Sequence, residues 1–126
     1  MRSLIFTGFV FVALSGCATT AVQHHEVGTF SVRDYLKTAY DTLLVAETDT
    51  EGHRVRAQLE TRAALDALED LSTSPRRVPY SGPPTLAVAL ELLERSEQET
   101  TQNVLAQTHA RRAAAELRQA LSLSLR

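Results

Sequence analysis

Glu94-Arg95-Ser96-Glu97-Gln98-Glu99-Thr100-Thr101-Gln102-Asn103 is a run without a large apolar side chain, set between two apolar helical patterns, and the architecture turns on whether a helix passes through it. Before it, Leu86, Val88, Ala89, Leu90, Leu92 and Leu93 open a helix; after it, Val104, Leu105, Ala106, Ala110, Ala113, Leu117, Ala120 and Leu121 resume one. Neither proline nor glycine occurs from Thr85 onward. Counted at about 100° per residue, Leu86, Leu90, Leu93, Thr100, Val104, Thr108 and Ala115 keep to one broad face, interrupted by Glu97 and Arg111. Glu91/Arg95, Arg95/Glu99 and Arg112/Glu116 add i,i+4 support. The spacing predicts a single helix of about 35 to 40 residues, spanning roughly 55 Å at 1.5 Å per residue. The alternative is a break near Thr100.

Immediately upstream, residues 72–84 hold every proline of the chain. Proline fixes φ and lacks an N–H donor, so no helix passes through, and Pro83 or Pro84 is placed for the first turn of the next helix. A loop of about 13 residues exceeds the usual connection in a small domain, which points to a functional loop or a spacer. Arg76, Arg77 and Tyr80 make it the best candidate in the sequence for docking a partner.

Two further helices precede the loop. Ser31 is an N-cap with Asp34 three residues on, and Phe30 before the cap can pack on Tyr35 as a hydrophobic staple. Val32, Tyr35, Leu36, Ala39, Tyr40, Leu43 and Leu44 then recur at helical spacing, with Arg33, Lys37, Asp41 and Glu47 opposite. Thr48-Asp49-Thr50-Glu51-Gly52 turns the chain and starts a second helix by Glu51 or Gly52. That helix carries Val55, Leu59, Ala63, Ala64, Ala67, Leu68 and Leu71 on a face that drifts around the cylinder, with Arg56/Glu60 and Arg62/Asp66 as solvated i,i+4 pairs. The expected fold is all-α: a small antiparallel bundle of three helices, elongated or coiled-coil-like, with four helices if the chain breaks near Thr100.

At the amino terminus, Met1-Arg2 supplies positive charge and Leu4 to Leu14 an apolar segment too short to span a bilayer. It ends in Leu14-Ser15-Gly16-Cys17, which holds the only cysteine. This order of charge, apolar core and cysteine resembles the signal peptide and lipobox of bacterial lipoproteins, over about the first eighteen residues. The resemblance implies lipidation of Cys17 and cleavage after Gly16. It divides the chain into a signal peptide (1–16), a lipidated tether (17–29) and a helical domain (30–126). Ala18 rather than Asp after the cysteine implies, for a Gram-negative source, release to the periplasmic face of the outer membrane. One acyl chain binds membranes only marginally, so the several chains of a lipoprotein are what hold it there.

The remaining composition excludes more than it assigns. The 126 residues carry 13 basic against 15 acidic side chains, and cleavage removes Arg2, so nucleic acid is not an expected partner. Three of the four phenylalanines lie in the leader, which leaves a Leu/Ala/Val core and an expectation of closely approaching helices, or of a homo-oligomer. No nucleophile–base motif, metal-ligand spacing or phosphate-binding loop occurs, so neither enzyme activity nor a cofactor is expected. His24 and His25 read as solvated tether residues, His109 as exposed, and Tyr35 and Tyr40 as core flanks. The expected role is a non-enzymatic interaction, accessory or assembly module with a protein partner in the cell envelope, including a pilotin-like role. A carrier of lipid or another apolar ligand is the alternative.

Overall fold

The computed structural model describes residues 29–46, 51–69 and 74–125, and every regular element among them is helical. Helix α1 (Val32–Val45) opens on a complete capping box: the Asp34 amide donates to Ser31 Oγ, and the Ser31 amide donates to Asp34 Oδ2 at 2.8 Å. Phe30 stands edge-on to Tyr35 with ring centroids 6.2 Å apart, the staple expected before such a cap. Helix α2 (His53–Leu68) follows Glu51 and Gly52, both at positive φ, where the backbone swings round to reverse direction. Gly52 occupies the left-handed cap without strain. The Thr48–Thr50 part of the expected turn and Leu71 lie outside the described residues.

Helix α2 does not bury the face its large side chains suggest. His53, Ala57, Thr61 and Ala64 point inward, while Val55 and Leu59 are 41% and 64% exposed. The alanine line wins because a neighbouring helix lies close against it, and a leucine at that approach would overpack the seam.

The predicted single helix after the proline-rich loop is instead two, α3 (Leu86–Glu99) and α4 (Val104–Ser124), so the four-helix alternative holds. Helix α3 starts after Thr85, whose Oγ1 accepts from the Val88 amide; Pro83 and Pro84 precede the cap instead of occupying the first turn. At the break, Thr100 leaves helical geometry and its hydroxyl donates to the Ser96 carbonyl. Asn103 then caps α4, accepting from the Ala106 amide at 2.9 Å and donating its amide to the Ala67 carbonyl of α2 at 3.1 Å. Reversal there folds α4 back so that Ala110, Ala113, Ala114, Leu117 and Ala120 are buried, surface that a projecting helix would leave in water. Of the expected i,i+4 supports, Arg95–Glu99 forms at 2.6 Å, but Glu116 turns away from Arg112 toward α2.

The helices form a square in which α1 packs on α2 and α3, and α4 packs on α2 and α3. Cross-helix pairs fix the directions. Glu94–Arg118 and Glu97–Arg111 make α3 and α4 antiparallel. His53–Glu116 and Glu60–His109 do the same for α2 and α4. Leu36, Leu43, Leu93 and Leu117 are fully buried at the centre, each contributing about 1.5–3 kcal/mol, and alanines fill the rest. Helices α2 and α3 run in the same direction at opposite corners, and the extended residues 74–80 run back along the bundle between them.

Candidate functional site

That connection is built as a strap on α1. The Arg76 amide donates to Asp34 Oδ1 at 2.6 Å, the Val78 amide donates to Thr38 Oγ1 at 2.8 Å, and the Tyr80 hydroxyl lies 3.4 Å from Thr42 Oγ1. Two extended residues advance about 6.6 Å and four helical residues about 6 Å, so alternate strap residues meet successive turns of α1. Thr42 in turn donates to the Thr38 carbonyl at 2.7 Å. Val78 points inward and joins the hydrophobic core.

Asp34 is the hinge pin of this arrangement, at once N3 of α1 and the acceptor for the start of the strap. Burial pushes its carboxyl up, but the Ser31 and Arg76 amides and the Arg76 charge outweigh burial and hold it below the ordinary carboxylate range. The amides favour the ionised form because they donate to it.

On the outside of the strap, arginines and aromatic rings collect in pairs. Arg76 lies over Phe30 at 4.6 Å from the ring centroid, Arg77 over Tyr80 at 5.5 Å, and Arg95 of α3 over Tyr35 at 5.4 Å. Each pair is worth about 0.5–1 kcal/mol where exposed, and holds a flat ring with a cation on its face. Between the strap, α1 and α3 lies an open groove of about 520 Å³, with Phe30, Tyr35, Val78, Tyr80, Glu91 and Arg95 in its walls.

The three loop residues singled out in the sequence therefore share one face, with unequal duties. Arg76 is committed to the protein itself, donating to the Thr29 carbonyl and reaching Asp34 Oδ2 at 3.4 Å. Arg77 is exposed, and Tyr80 is half-buried at the groove wall. Tyr35 is buried as a core flank, which leaves only part of its ring on the groove. Cys17, His24, His25, Ser72 and Thr73 lie outside the described residues.

A second polar constellation escaped the sequence reading. On the far side of the bundle, His53 Nδ1 lies 3.0 Å from Glu116 Oε1, and Arg56 Nε donates to the same oxygen at 2.8 Å. The Arg56 hydrogen bond, with His53 beside it, outweighs burial and lowers the Glu116 carboxyl below its ordinary range. His109, expected to be exposed, is half-buried with its Nδ1 2.6 Å from Glu60 Oε1. Arg56 and Glu60 thus face α4 instead of each other.

A further open groove of about 540 Å³ lies where α1 ends and α3 begins, with Val45, Pro83, Pro84, Ala87 and Leu121 in its walls. Among the described residues there is no group of three or more side chains suited to a metal ion, and no helix long and apolar enough to cross a membrane. Comparison of the chain with protein-family models, curated proteins and solved structures finds no match.

Proposed function

We propose that the chain is a lipoprotein of the cell envelope, anchored through Cys17 at the periplasmic face of the outer membrane, whose helical body is a non-enzymatic docking module. The observation that carries the docking reading is the face formed by the strap with α1 and α3: three aromatic rings, Phe30, Tyr35 and Tyr80, line one groove, and each carries an arginine on its face. Aromatic residues and arginine are the side chains most enriched at binding hot spots. With Arg76 held by Asp34 and Arg95 by Glu99, the exposed Arg77 guanidinium is the cation that suits an acidic segment of a partner protein. The strap holds Arg77 and Tyr80 in place beforehand, so little side-chain ordering is left to oppose binding. Anchoring confines the module to the membrane surface and raises its effective concentration for a membrane-bound partner, as an accessory, assembly or pilotin-like role requires.

Two substitutions test the two halves of this reading. Cys17→Ser removes the lipid-bearing sulfur and should shift the protein from the membrane to the soluble fraction; unchanged lipid labelling and fractionation contradicts the anchor. Arg77→Ala in the anchored protein should lose at least about tenfold in capture of its envelope partner, with unchanged helicity. Undiminished capture contradicts the docking face.

The groove beside Val45 and Pro83 favours one second reading, a carrier of an apolar ligand. Extraction and mass spectrometry of the native lipoprotein would then recover a stoichiometric lipid.

A further inference from the structure

The two His–Glu contacts on the α2/α4 seam are the same contact made twice. His53–Glu116 runs from α2 to α4, and His109–Glu60 runs from α4 to α2. The sequence repeats to match. His53, Arg56, Ala57, Glu60, Arg62, Ala64 and Leu65 recur, in that order and spacing, as His109, Arg112, Ala113, Glu116, Arg118, Ala120 and Leu121.

The environments repeat as well. Ala57 and Ala113 are both fully buried, as are Ala64 and Ala120, while Arg56 and Arg112 are both exposed. A groove of about 360 Å³ between α2 and α4 is lined by Arg56, Leu59 and Glu60 together with Arg112, Ala115 and Glu116, the equivalent position of each. Helices α1 and α3 are both 14 residues long and both open on a hydroxyl cap, Ser31 and Thr85. The packing pattern is unchanged when α1 is exchanged for α3 and α2 for α4. A reciprocal contact set of this kind, in which i meets j and j meets i, is the mark of a two-fold interface.

We infer that the bundle is one helical hairpin in two copies, paired about a pseudo-two-fold axis, and that its partner surface accepts the equivalent hairpin of a second copy of this chain. The second chain enters by hairpin exchange. Residues 74–80 are bonded to α1 and stay with the first hairpin, which leaves Ser81-Gly82-Pro83-Pro84-Thr85 as the hinge. All five are exposed, and Gly82 has φ +83 with open space around it, so straightening this turn breaks no core contact. Exchange preserves every seam contact, since each hairpin meets the same surface from another chain. The His–Glu seam lies on the opposite side of the bundle from the docking face; in an exchanged pair the groove keeps its walls, with Glu91 and Arg95 supplied by the second copy.

The test uses charge reversal in the full-length, membrane-extracted protein. One variant carries His53→Glu with Glu60→Lys, and a second carries His109→Glu with Glu116→Lys. Alone, each places like charges across the seam. In an exchanged pair the charges match again: the carboxylate introduced at position 53 meets the ammonium introduced at position 116, and the ammonium at position 60 meets the carboxylate at position 109. The variants are unfolded, mixed and refolded, and assemblies are counted by native mass spectrometry. The expected result is a one-to-one heterodimer at least about tenfold over either homodimer. A chain carrying all four substitutions should refold as wild type does, which shows that the substitutions themselves permit folding. A mixture without enriched heterodimer overturns hairpin exchange, and failure of the four-substitution chain to refold overturns the assignment of these pairs as the seam's matching contacts.

Discussion

The α1/α3 and α2/α4 seams lie on opposite sides of one bundle and are closed by different means. At α1/α3 an extended strap covers the outside and hands its amides, two residues at a time, to Asp34 and Thr38, with the Tyr80 hydroxyl beside Thr42. At α2/α4 no strap intervenes. The helices approach on alanines at 57, 64, 113 and 120, and two His–Glu contacts with the Arg56–Glu116 ion pair close the rim. A core poor in large side chains thus has two remedies: a third layer that adds Val78 and buried hydrogen bonds, or backbones brought close enough for alanine to fill the gap.

On this contrast, the strap side should depend on single polar groups. Asp34→Ala leaves the Ser31 and Arg76 amides without their acceptor and should cost about 3 kcal/mol in denaturant unfolding. The alanine seam should instead be sensitive to size: Ala64→Leu, harmless by helix propensity, should cost about 2 kcal/mol through overpacking. Asn103→Ala, which removes both the α4 cap and the link to α2, should cost about 1 kcal/mol. Smallest of all, Glu60→Gln keeps the size and weakens one half-buried rim pair, and should cost about 0.5 kcal/mol.

Acid should loosen both seams. The Asp34 and Glu116 carboxyls lie below their ordinary values of 3.8 and 4.5, so each stabilises the fold when ionised. That contribution is complete above the ordinary value and is lost as pH falls through the lowered one. Thermal melting should fall below about pH 4.5, and Asp34→Asn or Glu116→Gln should flatten that fall.

What could be read from the sequence follows from range. Ser31, Asp34, Phe30 and Tyr35 announce the start of α1 because a cap is completed within a few residues, and the all-helical class follows from local periodicity. The break at Thr100 could not be read the same way. The 94–103 run keeps helical phase and supports it with Arg95–Glu99, and the decision comes from remote groups: the Ala67 carbonyl that receives Asn103, and the helices onto which α4 folds. Arg56 and Glu60 likewise satisfy the i,i+4 rule, yet each finds a partner on α4. The His53/His109 repeat was present in the sequence as a signal, and comparing the chain with itself reveals it.

The docking claim is tested most directly by placing a photo-crosslinking side chain at Pro79 on the strap face, which leaves Arg77 and Tyr80 in place, or at Leu59 on the opposite seam, both exposed, in the membrane-anchored protein. A docking strap should give a discrete adduct with an envelope protein other than this chain from position 79 and none from position 59. An adduct with another protein from position 59, with none from position 79, would contradict it.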